Sequence, residues 1–346
     1  MKQLLIGFVI VFALAIPANA VDFSPPDAPE SALSYLPDET DNFGEGLLFV
    51  IREAIRKTQP SITEAAETCA LVIGVSIAIG ILFCISDKQE TVFNLSGTLT
   101  VAVLILKPTK SLIHLSIQTI GEISQHGKAL LPAMTAAMAA QGGATKSTAI
   151  YTATSFFNML LSLAISNVLM PLVYVYLSLG VASSCFSGQA LTDIRKFVKW
   201  VMTWGLKTIL YVFTGYLSIT GIVAGATDAT MLKATKLTIS GMVPVIGGIL
   251  SDASDAVLVS AGLVKNSIGI YGMLAVIALW IGPFLRIGIQ YLCLKMTSGI
   301  CSIIGTKAIG NVVREFSDTM GILLAMIGAM GLIVLISTVC YLKGVG

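Results

Sequence analysis

The stretch of sequence best suited to chemistry is 240–258, SGMVPVIGGILSDASDAVL, in which glycines, a proline and two aspartates interrupt an apolar run. Pro244 removes a backbone donor, and Gly247 and Gly248 allow a helix to unwind or to pack closely against a neighbour. Non-helical backbone at membrane depth is tolerated only where protein or water covers it. We therefore predict a broken or re-entrant helix over residues 242–256 that faces an interior or aqueous surface.

Two interpretations are open for the aspartates of this stretch, Asp252 and Asp255. Ser251 and Asp255 are four residues apart and share a helix face. An ionised carboxylate in an apolar setting needs water, a cation or a basic partner, and Lys265 and Arg286 are candidate partners. This interpretation predicts a pathway or a contact with another protein. In the other, the aspartates cap the following helix at a water boundary, where their charge suits the helix dipole.

Two further polar positions interrupt the apolar sequence beyond the aspartates. Lys265 and Asn266 either make a polar contact inside the bundle, or the lysine extends to the membrane interface. Arg286 lies three residues after Pro283, and Gln290 lies four residues further along the same helix face. Because Pro283 cannot donate to the helix ladder, we expect Arg286 to bond the carbonyl groups that the proline leaves free.

The residues that usually carry catalysis or bind metals do not occur in productive patterns. His114 and His126 lie in an amphipathic segment without metalloprotease spacing. The segment GGATKST at 142–148 resembles a phosphate-binding loop, but no glycine precedes Lys146 as that motif requires. None of the six cysteines forms C-x-x-C, which predicts buried free thiols. The sequence therefore predicts a non-enzymatic protein with no catalytic, cofactor or metal site.

The composition indicates a membrane protein that crosses the bilayer several times. The chain is 55% hydrophobic and only 12% charged, whereas a soluble domain is about a quarter charged. Several apolar runs approach the length of about 20 residues that a transmembrane helix needs. The formal net charge of +2 does not indicate a nucleic-acid partner. The elements that position the polar stretch are therefore predicted to be membrane helices, in an all-α polytopic fold.

The N-terminus has the pattern of a secretory signal peptide. Lys2 supplies the charged region, residues 4–16 are apolar, and Ala18-Asn19-Ala20 fits a cleavage site. The alternative is an uncleaved first membrane helix. In both cases residues 21–66 are predicted to be extracytoplasmic, comprising an acidic arm and an amphipathic helix that stops at Pro60. Ten of the nineteen acidic residues lie in residues 21–67, against three basic residues.

We count about eight spans in the mature chain. The apolar regions 149–186 and 257–306 are each too long for one crossing, so we predict that Pro171 and Pro283 break them into separate helices. Residues 67–108 are predicted to hold two spans.

The proline spacing indicates an internal repeat. Pro132 and Pro171 are 39 residues apart, as are Pro244 and Pro283, at an offset of 112. Three spans in each copy predict an inverted repeat of the kind common in transporters, with Pro132 also breaking a helix. A miscount of one span would make the repeat parallel. The predicted division is a signal peptide at 1–20, the arm and amphipathic helix at 21–66, two transmembrane helices at 67–108, repeat 1 at 109–226 and repeat 2 at 227–346.

Residues 236–272 carry a resemblance to a known family. Their P-V-I-G-G-x-L-S core, followed by D-A-V-L and L-V-K-N-S-I-G, resembles the stage III sporulation protein AE family of endospore-forming bacteria. The flanking pattern of an exported arm followed by many spans extends the resemblance over residues 45–343.

The resemblance implies a subunit of the complex that stage III sporulation proteins AA to AH form in the mother-cell membrane. In that complex protein AA is an ATPase, and stage II sporulation protein Q meets the complex from the forespore side. The implied role is a permease-like or pore-adjacent part of a channel, and no catalytic residues carry over. Two alternatives are a stand-alone secondary transporter, which the repeat and the intramembrane charges suggest, and a purely structural assembly platform.

Overall fold

The computed structural model describes residues 28–37, 43–85, 90–138, 144–186, 189–219 and 267–343, and every regular element in these residues is a helix. The all-α prediction is therefore confirmed for this part of the chain. The elements are α1 (Glu30–Leu33), α2 (Phe43–Ile85), α3 (Glu90–Met138), α4 (Ala144–Ala164), a π-helical segment (Ile165–Leu169), α5 (Met170–Cys185), α6 (Gln189–Ile219), α7 (Ser267–Ile304) and α8 (Lys307–Lys343).

The long helices run up and down in one bundle. Gly80, near the end of α2, approaches the carbonyl of Ile304 at the end of α7, and Gly97 near the start of α3 lies against Ile309 of α8. The helix ends at residues 76–85, 90–97, 176–186, 189–199 and 295–318 therefore lie together, and we call this end of the bundle the basic end.

The opposite end of the bundle is defined by two hydroxyl contacts. Thr135 and Tyr341 are 2.7 Å apart through their hydroxyl oxygens, and Thr154 donates to Ser337 at 2.7 Å. These contacts join the end of α3 and the start of α4 to the last turns of α8. The last turns of α8 lie about 40–50 Å from its first residue along the helix axis. The bundle is thus about as tall as a bilayer with its headgroups or slightly taller.

Helices α7 and α8 form the centre of the bundle. Their apolar stretches are each 72% buried, whereas those of α2 and α3 are 22% and 28% buried. Residues 273–281 of α7 are buried on every side. Gly331 of α8 allows close approach, because the Trp280 ring occupies the space that a Cβ atom at residue 331 would need. The apolar outer sides of α2 and α3 therefore face the surroundings, as lipid-facing helices do.

Five helical stretches in the described residues are long and apolar enough to cross a membrane. They are Phe43–Leu82, Thr91–Ala136, Thr148–Cys185, Tyr271–Ile304 and Lys307–Tyr341. The prediction of about eight spans is not matched here, because stretches that we divided at prolines form single helices. Helices α2 and α3, at 43 and 49 residues, are about 64 and 73 Å long, so part of each extends beyond a bilayer.

The prolines do not end helices as the sequence predicted. Helix α2 continues through Pro60, α3 through Pro132 and α7 through Pro283. Pro60 and Pro132 lie at exposed positions, where the proline ring does not disturb the packing of the core. Neighbouring groups can satisfy the carbonyl that loses its donor, which is why proline is tolerated inside membrane helices.

Pro171 is accommodated differently. It lies at the start of α5, directly after the π-helical segment Ile165–Leu169, and the candidate span Thr148–Cys185 runs through both. A π-helical turn changes the hydrogen-bond spacing just where the proline ring removes a donor. The predicted break at Pro171 is thus a local irregularity in one continuous helical stretch.

Helices α6 and α8 run in the same direction. Arg195 pairs with Glu315, and Lys199 pairs with Asp318, so residue numbers increase together along the two helices. The internal repeat, inverted or parallel, stays a prediction, because residues 220–266 of its second copy lie outside the described residues.

Candidate functional site: a buried charge network

A network of charged side chains joins four helices near the basic end. Helix α6 contributes Arg195 and Lys199, four residues apart, and α8 contributes Glu315 and Asp318, three residues apart. Both spacings place the two charges on one helix face. We call the charge network the set of side chains from α5 to α8 that meet here, namely Tyr176, Arg195, Lys199, Lys295, Glu315 and Asp318.

Glu315 is the centre of the buried half of the charge network. The residue is only 4% exposed, and one carboxylate oxygen forms an ion pair with Arg195. The other oxygen accepts a hydrogen bond from the Tyr176 hydroxyl at 2.9 Å. Arg195 also donates to the Ser183 hydroxyl at 3.3 Å. Both oxygens of Glu315 are thus occupied by donors from α5 and α6.

A glycine makes this burial of Glu315 possible. Gly180 of α5 packs directly on the Glu315 side chain, and a Cβ atom at residue 180 would lie 2.9 Å from the Cβ of Glu315. Real Cβ atoms do not approach so closely, so any larger residue would displace the carboxylate or the helix. The glycine therefore determines how near α5 lies to α8.

The other half of the charge network is more open. Asp318 accepts from the Nζ of Lys199 at 2.7 Å, and its second oxygen lies 3.5 Å from the Nζ of Lys295 on α7. The side chains of Lys199 and Lys295 are 43% and 48% exposed. Beside Asp318, the Ser317 hydroxyl donates to the Tyr291 carbonyl at 3.2 Å and links α8 to α7. Asp318 therefore lies at the edge of the network, within reach of water or headgroups.

The charge network can hold helices together electrostatically. A carboxylate away from water is costly unless a cation and hydrogen-bond donors satisfy it. Arg195 and Tyr176 supply these groups to Glu315, so this carboxylate is not free to act as a base. Since the partners come from separate helices, the network holds α5, α6 and α8 in one relative position.

The described residues contain no group of three His, Cys, Asp or Glu side chains arranged to hold a metal ion. Of the two histidines, His114 is exposed on α3 and His126 is buried there. The Nε2 atom of His126 has no hydrogen-bond partner among the described residues. Of the five cysteines whose side chains are described, Cys69, Cys301 and Cys340 are buried, as predicted, whereas Cys185 and Cys293 are half-buried.

Most of the predicted site residues cannot be compared with the structure. The predicted broken helix and its neighbours lie outside the described residues, namely Pro244, Gly247, Gly248, Ser251, Asp252, Asp255, Lys265 and Asn266. Arg286 is described, and its Nε donates to the Ser61 hydroxyl of α2 at 2.9 Å. We expected Arg286 to bond backbone carbonyls near Pro283. A hydroxyl on a neighbouring helix takes that place, because α7 continues through the proline.

The segment before α2 packs against the bundle on the same side as Arg286. Ser31 donates to Glu122 of α3 at 2.7 Å. Lys57 of α2 donates to the Ser34 carbonyl at 2.7 Å, and its Nζ lies 4.6 Å from the centre of the Tyr35 ring. Burial raises the pKa of the Tyr35 phenol. We call residues 28–37 the docked arm.

Sequence reasoning did not predict the charge network. The available signal was the matching spacing, because Glu315 and Asp318 interrupt an apolar segment three residues apart and the two cations of α6 are four apart. The pairing itself joins residues about 120 positions apart, which no local pattern shows.

Comparisons with known proteins agree with the resemblance found in the sequence. The family model described as Stage III sporulation protein AE matches residues 61–344. A curated relative, Stage III sporulation protein AE of Bacillus subtilis (strain 168), is 24% identical over 253 residues, which is 72% of this chain. The matched region spans only 63% of the relative's own length.

No solved structure matches the chain. The family match covers most of the bundle, from α2 after Pro60 to the end of α8, and so includes the complete charge network. Because this match extends over far more than half of the sequence, the chain belongs to the Stage III sporulation protein AE family.

Proposed function

We propose that the chain is a non-enzymatic membrane subunit of the transport complex that connects the mother cell with the forespore during endospore development. In this proposal it is a permease-like or pore-adjacent part of a channel. The observation that carries it is the family match over residues 61–344, which coincides with a bundle containing five helices able to cross a membrane. The match to a relative of the same name supports the same assignment.

The proposed partners are the other stage III sporulation A proteins, including their ATPase, and the forespore protein Q. The proposal requires an external source of energy, because the sequence has no nucleotide-binding motif. The carboxylate at the centre of the charge network is held by Arg195 and Tyr176, which supports a positioning role rather than catalysis.

We further propose that the arm end of α2 faces the space between the two membranes and that the basic end faces the mother-cell cytoplasm. Residues 21–67 include ten acidic and three basic residues. The helix ends that form the basic end hold six basic and four acidic residues. Cytoplasmic segments of membrane proteins carry an excess of Lys and Arg, so this distribution supports the orientation.

The predicted broken helix at residues 242–256 belongs to the same proposal. Its Asp252 and Asp255 would line the route or contact a partner span, with capping of the next helix as the alternative. The variant Asp252→Asn/Asp255→Asn distinguishes the two roles. Loss of sporulation at normal protein level supports a pathway or contact role, and wild-type sporulation identifies the aspartates as caps.

The test of the proposed function is a deletion in the organism from which the sequence comes, complemented by a tagged copy. We expect development to stop after engulfment and the tag to lie in the membrane around the forespore. Normal spores in the deletion strain, or a tag spread evenly through vegetative cells, would contradict the proposal. A Glu315→Asp copy serves as a matched control, since it keeps the charge but shortens the reach to Arg195.

A further inference from the structure

One face of α6 carries exposed aromatic side chains near the basic end. Phe197, Trp200 and Trp204 are 62%, 57% and 56% exposed. Their rings stack in sequence, with centroids 6.0 Å apart for the first pair and 5.9 Å for the second. Tyr211 continues the same face and is 42% exposed. We call these four residues the aromatic stripe, since their spacing places them on one side of the helix.

The opposite face of α6 is already occupied. Met202, Leu206, Leu210, Phe213 and Leu217 are buried against the rest of the bundle. The inward face also carries the two cations that pair with α8. The orientation of α6 about its axis is therefore set from inside, and the aromatic stripe cannot turn into the core.

Two lysines flank the aromatic stripe. Lys196 precedes Trp200 by four residues, and Lys207 follows Trp204 by three, so both share its side of the helix. The Lys196 side chain is 65% exposed and lies 3.3 Å from Asp193, itself 58% exposed. Such an exposed pair is weak and exchanges readily for another anion. Lys207 makes no ion pair within the described part of the chain.

The position of the aromatic stripe along the bundle indicates which layer of the bilayer it meets. The first three rings of the aromatic stripe lie about 12–22 Å from the start of α6, at the depth of the charge network. This end has the excess of basic residues described above. Tryptophan and tyrosine are enriched where a bilayer meets water, and lysines close to an anionic bilayer gain from its surface potential.

Helix α6 also differs from its neighbours in polarity. It has 31 residues and crosses from the basic end to the opposite end, yet it is not among the five stretches apolar enough to span a membrane. The outer surface of α6 carries tryptophan and tyrosine rings, each with one polar group, and lysine ammonium groups. Acyl chains would leave the lysines and indole N–H groups without partners, whereas phospholipid headgroups supply phosphate and carbonyl acceptors.

We propose that Lys196 and the basic-end part of the aromatic stripe, Phe197, Trp200 and Trp204, bind the headgroup region of an anionic bilayer leaflet at the basic end. The ligand class is the phosphate of an anionic phospholipid. The indoles lie between headgroups and acyl chains, and the Lys196 ammonium group contacts a phosphate. This interaction requires no partner protein and does not depend on the proposed channel function.

Tryptophan fluorescence tests the depth of the stripe, because the chain has only three tryptophans. Trp280→Phe leaves Trp200 and Trp204 as reporters. The double variant Trp200→Phe/Trp204→Phe leaves Trp280, which is 5% exposed, as the internal control. Each purified full-length protein is placed in phosphatidylcholine bilayers containing lipids brominated near the headgroup or near the acyl terminus. We expect strong quenching of the stripe by the shallow label only, and little quenching of Trp280 by either.

A second measurement tests the choice of lipid. Energy transfer from the stripe tryptophans to labelled phosphatidylglycerol is compared with transfer to labelled phosphatidylcholine in the same bilayers. We expect a preference for phosphatidylglycerol that Lys196→Gln lowers by about fivefold. The matched control is Lys128→Gln, because Lys128 is exposed on α3 away from the basic end.

Three results would overturn the inference. Quenching by aqueous iodide but by neither brominated lipid would show that the stripe is open to water or reserved for a protein partner. Equal or stronger quenching by the deep label would place the rings in the acyl core. An unchanged lipid preference in Lys196→Gln would show that the Lys196 ammonium group does not select anionic headgroups.

Discussion

The charge network and the docked arm both connect helices that are distant in sequence, but they do so under opposite conditions. The Arg195–Glu315 pair lies inside the bundle, where Glu315 is 4% exposed. The contacts of the arm, such as Ser31 with Glu122 and Lys57 with the Ser34 carbonyl, lie at exposed positions. In the interior no water can replace a lost partner, whereas at the surface water can. The network should therefore fix the bundle, and the arm should adjust with little loss of stability.

Removing the carboxylate of Glu315 should have the largest effect. Glu315→Ala leaves the Arg195 guanidinium in a largely buried position without its counterion, which typically costs about 3–5 kcal/mol. We expect that loss in the free energy of unfolding, measured by circular dichroism during detergent-denaturant titration. A loss below about 1 kcal/mol would show that Arg195 reaches water and that the network is not a buried one.

The double variant Arg195→Met/Glu315→Met separates the cost of an orphaned charge from the value of the pair. Replacing a buried ion pair by apolar groups of similar size is often neutral or stabilising. We therefore expect the double variant to be more stable than Glu315→Ala. If the double variant is as unstable as Glu315→Ala, the Arg195–Glu315 ion pair stabilises the fold by more than the cost of removing its charges from water.

The close approach of α5 to α8 should give the next largest effect. Gly180→Ala places a Cβ atom 2.9 Å from that of Glu315, and overpacking of this kind costs about 1–3 kcal/mol. The matched control is Gly205→Ala on α6, where a Cβ atom meets nothing within 4 Å. The control should be neutral or stabilising, because alanine is the better helix former. Equal thermal stability of the two variants would contradict the tight contact.

The outer half of the network should be less sensitive than its buried half. Asp318→Asn removes a charge shared by Lys199 and Lys295, whose side chains are 43% and 48% exposed. Ion pairs at this exposure contribute about 0–1 kcal/mol, and that is the loss we expect in the same unfolding titration. A loss as large as that of Glu315→Ala would mean that lipid shields Asp318 fully.

The same contrast explains which features the sequence could predict. Apolar runs such as 149–186 predicted helices, because helix formation in an apolar solvent depends only on composition along the segment. The effect of Pro60 and Pro283 was predicted wrongly, since a proline ends a helix only where nothing around it supports the freed carbonyl. That support comes from other helices and is not visible locally.

The charge network escaped prediction for a related physical reason. The residues of α6 and α8 that pair are about 120 positions apart, and each helix alone reads as an amphipathic segment with a polar side. Only the packing of α5 through Gly180 shows that Glu315 is inside. The spacing of the charges on one face of each helix could have suggested the pairing, but not its burial.

The smallest effects are expected on the side of the bundle where the docked arm lies. Ser61→Ala removes the hydroxyl that accepts from Arg286 at 2.9 Å. Water can take its place because the hydrogen bond is exposed, so the loss in the free energy of unfolding should stay within about 0.5 kcal/mol.

The docked arm should respond to pH. Because burial raises the pKa of Tyr35, its folded contact favours the neutral phenol and is retained below the ordinary tyrosine pKa of about 10. It should be lost as the pH rises through the higher folded value, which hydrogen exchange of residues 30–36 would detect as faster exchange relative to Tyr35→Phe. An arm that protects its amides equally at all pH values in both proteins would show that Tyr35 does not hold it.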